Sequence, residues 1–281
     1  MTARTPIALA IAGSDSGGGA GIQADLKTFA ALGVHAATAV TALTVQNTLG
    51  VRAVHLAPPE VVAAQIDAVT DDFDIAAVKI GMLGDATIVA AVADRLRSPA
   101  GDSTKAFVVY DPVMTASSGD ALCGAGFIEA VRTRLLPLVD CLTPNLAEAA
   151  ALLDGPVAAN EADMARQGRA LIALGPRAVL MKGGHLAGET AIDLLVTADA
   201  LSRYVAPRIA SDNLHGTGCT LSSAIAAFLT LGAPLGCAVE RAKAFVVSSI
   251  ERGVELRLGQ GPGPVLPAPL RAARSEAPRE G

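Results

Sequence analysis

The chain predicts an α/β fold, a mostly parallel central sheet with helices on both faces, and three observations carry that reading. Short apolar runs alternate with helical patterns almost to the end. The apolar runs are continuous, as in strands buried on both faces. The polar and glycine-rich motifs follow those runs directly, at the carboxyl ends of strands where such sheets bind ligands.

Ile7–Ala12 reads as the first buried strand, and Gly21–Leu32 as a helix with Ile22, Leu26 and Phe29 on one face and Gly33 as its stop. Val34–Leu43, rich in Thr and Val, is the next strand, and Pro59–Thr70 a helix turning Val62, Ile66 and Val69 inward. Strand Ile75–Ile80, helix Ala86–Leu96, strand Phe107–Tyr110, helix Phe127–Leu136 and a short strand around Cys141 follow. Helices Leu146–Leu153 and Glu161–Leu174 precede strands Ala178–Met181 and Ala191–Val196, and helices Thr217–Leu231 and Leu235–Gly253 close the fold. With no internal repeat or linker, residues 1–265 are expected to form one domain. The Pro-, Gly- and Ala-rich tail from Gly259 lacks periodicity, and 266–281 is expected to be disordered.

Composition narrows the function. Of the 281 residues 51% are hydrophobic and 3% aromatic, with no Trp, so the core is built of Ala, Val, Leu and Ile. A net charge of −5 with singly scattered basic residues leaves no footprint for nucleic acid. Cys123, Cys141, Cys219 and Cys237 form neither a CxxC pair nor a disulfide framework. Ile7–Ala12 is too short for a signal segment, and no stretch reaches the roughly 18 apolar residues of a membrane span. A cytoplasmic protein is expected.

The most informative stretch is Asn213-Leu-His-Gly-Thr-Gly-Cys-Thr220. Glycines flanking a threonine before an apolar helix bring bare backbone N–H groups to a helix N-terminus, which stabilises negative charge. A cysteine there, Cys219, is expected to have a lowered pKa and to serve as a base. An adjacent His215–Cys219 dyad is disfavoured, since a dyad is defined by geometry.

Gly13-Ser-Asp-Ser-Gly-Gly-Gly-Ala-Gly21 lacks the Lys of a P-loop. Gly19-x-Gly21-x-x-Ala24 fits the dinucleotide pattern, but no acidic residue lies between Asp25 and Glu60 to meet a ribose, so NAD is rejected. A flexible loop approaching a small ligand is expected, with Asp25 standing alone most simply a first-turn charge. Asp111, at a strand end before Pro112, reads equally as a turn or a metal–phosphate group. Asn145 and Glu148 share a helix face; alone they are a capping box, and functionally an oxygen pair around Mg²⁺. Lys182, between a hydrophobic strand and Gly183-Gly184, is placed to meet phosphate.

Seven motifs in this order are similar to one family: Gly13 to Thr28, Thr41 to Thr48 with Gln46, Val78 to Leu83, Asp111-Pro-Val-Met114, Leu142 to Ala149, Val179 to His185 and His215 to Thr220. Over about residues 5 to 265 the chain resembles the hydroxymethylpyrimidine and phosphomethylpyrimidine kinases of thiamine biosynthesis, in the ribokinase-like superfamily. The resemblance implies a three-layer fold, a homodimer, and ATP- and Mg²⁺-dependent phosphorylation of 4-amino-5-hydroxymethyl-2-methylpyrimidine, then of its monophosphate. It implies that Gly13, Asp25, Gln46, Met82, Val113 and Cys219 surround the pyrimidine. Asp111, Asn145 and Glu148 would face the Mg-nucleotide, with Thr217 on the nucleotide and Lys182 on its phosphates. The N–H groups of Gly216, Thr217, Gly218 and Cys219 are expected to hold the transferring phosphoryl group. Cys219 stands where sugar kinases of the superfamily carry Asp, which favours the pyrimidine subgroup. Three departures stand out: Ser117 lies where the family has a lysine, His35 where Tyr is common, and Gly259-Gln-Gly-Pro varies a Gly-His-Gly-Pro pattern. The rivals are a pyridoxal or pyridoxine kinase, a non-catalytic pyrimidine-binding relative and a redox role for Cys219.

Overall fold

The computed structural model describes residues 5–97, 106–116, 119–120, 122–184 and 186–268. Ser117, His185 and the tail 269–281 lie outside the described residues. The strands are β1 (Ile7–Asp15), β2 (His35–Asn47), β3 (Gly50–Leu56), β4 (Ala77–Ile80), β5 (Phe107–Tyr110), β6 (Cys141–Leu142), β7 (Ala178–Lys182), β8 (Thr190–Thr197) and β9 (Leu201–Pro207). Among the described residues they form one nine-stranded sheet in the order β3-β2-β1-β4-β5-β6-β7-β8-β9. The run from β2 to β7 is parallel; β3, β8 and β9 add antiparallel edges.

The helices are α1 (Gly21–Ala31), α2 (Pro59–Thr70), α3 (Ala86–Arg97), α4 (Phe127–Ala130), α5 (Leu146–Leu153), α6 (Glu161–Ile172), α7 (Thr217–Thr230) and α8 (Leu235–Gly253). The sheet separates two cores by strand parity. Leu9, Ile11, Val78, Ile80, Val108, Tyr110, Val179 and Met181 face α2 to α6. Ala8, Ala10, Ala77, Val109, Cys141, Ala178 and Leu180 face α1, α7 and α8. Small side chains on the second face let α7, itself lined with Ala224, Ala226 and Ala227, lie close to the strands.

Four differences from the sequence reading have physical causes. β3 and β9 were not expected. Both are edge strands with mainly exposed or half-exposed residues, so no buried run marks them. β1 extends past Ala12: Ser14 and Asp15 rejoin β2 beyond a register shift, and the glycine turn shrinks to about residues 16–20. The single helix expected over 127–136 is α only to Ala130, then passes through a π turn, Val131–Leu135, into a 3₁₀ turn, Leu136–Leu138. Pro137 brings no N–H to continue an α ladder. Gly259 to Ala268 has no regular structure but is tied down: Gly263 N–H donates to Asn213 Oδ1 (2.6 Å), Val265 N–H to His215 O (3.0 Å) and Leu266 N–H to Ser249 O (3.0 Å). Among the described residues no helix is long and apolar enough to cross a membrane.

Candidate active site

Strand parity decides which side chains meet. Asp111 follows Tyr110, and Lys182 follows Met181, so both turn to the α7 face of the sheet. There Lys182 Nζ lies 2.6 Å from Asp111 Oδ1 and 3.9 Å from Glu148 Oε2. The start of α7 closes over the pair. A Cβ built on Gly218 would stand 3.2 Å from Asp111 Oδ2 and 3.3 Å from Lys182 Nζ, so only a bare backbone fits without displacement. Gly216, left-handed at φ +80, brings its Cα against Gly19 O, where a Cβ would sit 1.9 Å away. The glycine turn and the α7 start are therefore packed backbone to backbone.

Burial dominates the electrostatics. It pushes Glu148 up to about 7 against the opposing pull of Lys182, with Asp111 adding to the rise. Burial pulls the Lys182 ammonium down, but Asp111 and Glu148 outweigh it and leave its pKa well above the usual lysine value. Cys219 overturns an expectation. Burial pushes the thiol up to about 11, where a helix N-terminus was expected to lower it. Lys79 and the Gly21 N–H favour the thiolate, whereas Asp25 and Asp111 oppose it, and the partial removal of this half-buried thiol from water wins.

Asp25 is no surface first-turn charge. It is fully buried, accepts from Lys79 Nζ at 2.8 and 2.9 Å, and accepts from Ser223 Oγ at 2.6 Å. Lys79 has the parity of Ala77 and so meets α1 and α7 rather than the larger core. The sequence reading gave Lys79, Ser223 and Asp15 no role. A lone Lys in an otherwise apolar strand was the available signal, because a buried charge needs a partner.

The other expected residues fall as follows. Asn145 and Glu148 form a full capping box: Asn145 Oδ1 accepts from Glu148 N–H (2.8 Å) and Glu148 Oε2 from Asn145 N–H (2.7 Å). Thr217 spends both its donors on Leu214 O, N–H at 3.2 Å and Oγ1 at 2.6 Å, so its N–H is not open to phosphate as expected. The Gly218 and Cys219 N–H groups are among those a helix start leaves without an intrahelical acceptor. Gly13 packs on Met82, whose sulfur would be 3.1 Å from an added Cβ, and Met82 O accepts from Thr41 Oγ1 at 2.6 Å. Val113 is half-buried, its N–H bonded to Asp111 O. Gln46 lies at the other end of the glycine turn, beside His215, whose Nε2 meets Asp15 Oδ2 at 2.9 Å rather than forming a dyad with Cys219. Thus Asp111, Glu148, Lys182, Gly218 and Cys219 share one centre; Gly13 with Met82, and Gln46, flank it; Asp25 lies behind it.

Two buried carboxylates flanking a half-buried lysine against a helix N-terminus suit binding and transfer of a phosphoryl group. Residues 15–266 match the phosphomethylpyrimidine kinase family. The chain belongs to that family. It is 54% identical over 261 residues to the hydroxymethylpyrimidine/phosphomethylpyrimidine kinase of Rhizobium meliloti, covering 93% of this chain and 96% of the relative. The crystal structure of phosphomethylpyrimidine kinase from Clostridium difficile is 40% identical with a TM-score of 0.75, covering 87% of this chain and 99% of that one. An ADP complex of Bacillus subtilis pyridoxal kinase is 34% identical with a TM-score of 0.84, covering 94% and 98%. Like its relatives, the chain is a phosphotransferase.

Proposed function

We propose that the chain uses ATP to phosphorylate 4-amino-5-hydroxymethyl-2-methylpyrimidine to its monophosphate, and then the monophosphate to the diphosphate, for thiamine diphosphate synthesis. The observation that carries this reading is the Cys219 thiol at the start of α7, set against Asp111, Lys182 and Glu148. Lys182 and the N–H groups of Gly218 and Cys219 hold the transferring phosphoryl group, and Gly13, Gln46, Met82 and Val113 border the pyrimidine. Asp25 acts from behind through Lys79.

Mg²⁺ fits this donor set. Asp111 and Glu148 already flank a cation, the Lys182 ammonium, and they offer the oxygen ligands Mg²⁺ prefers, with Asn145 reaching it in part through water. Burial and Asp111 raise Glu148 to about 7 despite Lys182, so a further cation beside it would favour its charged form. Bound there, Mg²⁺ would neutralise the nucleotide phosphates.

The two steps differ in one proton. The hydroxymethyl group must lose one as its oxygen bonds to phosphorus, and the Cys219 thiolate takes it. The acceptor of the second step is a phosphate already ionised at neutral pH, which needs no base. The enzyme acts in the cytoplasm as a homodimer, a reading supported by Leu43, Val45 and Leu49 exposed along the β2–β3 hairpin.

The higher structural similarity to a pyridoxal kinase favours a second reading, phosphorylation of pyridoxine at the same centre. ADP release measured with the pyrimidine alcohol and with pyridoxine decides between them. A larger kcat/KM for pyridoxine would overturn the first reading, and binding of the pyrimidine without ADP release would indicate a non-catalytic relative.

A further inference from the structure

The Asp15 carboxylate is buried and accepts from the N–H groups of Gly17 (2.8 Å), Gly19 (3.0 Å) and Ala20 (2.9 Å), as well as facing His215 Nε2 (2.9 Å). Burial works against its charge, but these bonds outweigh it and lower its pKa. An ionised carboxylate only accepts, so His215 Nε2 carries a hydrogen. The same nitrogen lies 3.4 Å from Gln46 Nε2, and that amide nitrogen is also only a donor. A second conflict sits at the other end of the amide. Thr44 Oγ1 has one hydrogen, yet it faces two acceptors, Ser14 O at 3.0 Å and Gln46 Oε1 at 3.1 Å.

Turning the Gln46 amide by 180° about Cγ–Cδ removes both conflicts. Its oxygen then accepts from His215 Nε2–H, shared with Asp15. Its nitrogen donates to Thr44 Oγ1, leaving the threonine hydrogen for Ser14 O. The amide keeps one oxygen lone pair and one N–H hydrogen for a ligand. That edge is complementary to an exocyclic amino group beside a ring nitrogen, which offers one donor and one acceptor.

We propose that His215, oriented by Asp15, and Thr44 are positioning residues that fix the orientation of the Gln46 amide and so select a 4-aminopyrimidine over its 4-oxo counterpart. This rests on the function proposed above, with Gln46 facing the acceptor. His215 suits the task because its backbone is clamped as well: its N–H donates to Gly263 O and its carbonyl accepts from Val265 N–H.

The test is kcat/KM for the 4-amino and 4-oxo pyrimidine alcohols in the wild type and in His215→Leu, Thr44→Val and Thr44→Ser. His215→Leu and Thr44→Val should each shrink the amino-over-oxo ratio by about tenfold, the scale of one hydrogen bond, chiefly through KM for the amino substrate. Thr44→Ser, which keeps the hydroxyl, should restore the ratio. Equal losses on both substrates, with the ratio unchanged, overturn the proposal. If His215→Leu does not fold, the two Thr44 variants decide alone. A wild type that phosphorylates neither pyrimidine refutes the function instead.

Discussion

The raised pKa of Cys219 makes the first phosphorylation strongly pH-dependent. With the thiol at about 11, only about one free enzyme molecule in 10⁴ carries the thiolate at pH 7. The thiolate population grows tenfold per pH unit until it nears that value. The sign follows directly: the reactive form is the deprotonated one, so kcat/KM for the hydroxymethylpyrimidine should rise about 100-fold between pH 7 and pH 9. With ATP held well below saturation, kcat/KM reports ionisations of the free enzyme, so the relevant value is that of the unliganded site. Phosphorylation of the monophosphate should lack this slope. Cys219→Ser should flatten the profile and slow the first step by roughly 10² to 10⁴, the usual worth of a general base, while largely sparing the second. Steady-state assays of each step on its own purified acceptor, from pH 6.5 to 9.5, read both effects. A flat wild-type profile, or equal losses in both steps for Cys219→Ser, would refute the thiolate as base.

Three further outcomes follow from the same geometry. Asp25→Asn leaves the Lys79 ammonium buried without its counter-charge and should cost about 3 to 5 kcal/mol in urea unfolding; a loss near zero would remove the pair from the stability of the fold. Glu148, raised from 4.5 to about 7, contributes stability that is complete below 4.5 and lost as pH rises to about 7, so Glu148→Gln should stabilise the ligand-free protein more at pH 8 than at pH 5, on the order of 2 kcal/mol, while nearly abolishing turnover. Gly216→Ala forces both a left-handed φ on alanine and a clash with Gly19 O; thermal melts and ADP release should both fall, and unchanged values in both would contradict the packing of the two loops.

Much of the fold was legible because its inner strands are continuous apolar runs and its helices carry clear faces. Pro59–Thr70, Phe107–Tyr110, Leu146–Leu153 and Leu235–Gly253 begin and end where the pattern places them. β3 and β9 were not legible, since edge strands bury too little to leave a pattern. At the site, local motifs exposed Asp111, Asn145, Glu148, Lys182 and the α7 start. Asp25 and Lys79 are 54 residues apart, and only the parity of β4 against α1 and α7 brings them together. The raised pKa of Cys219 is hidden from the sequence for a related reason. A helix N-terminus is visible in sequence, but the desolvation that outweighs it is a property of the packed fold.

The most direct measurement follows the products by ³¹P NMR when the pyrimidine alcohol is incubated with ATP and Mg²⁺. The monophosphate should appear first and then give way to the diphosphate, with pyridoxine phosphorylated at least tenfold less efficiently in a parallel reaction. A reaction that stops at the monophosphate, or that prefers pyridoxine, would contradict a single centre serving both pyrimidine steps.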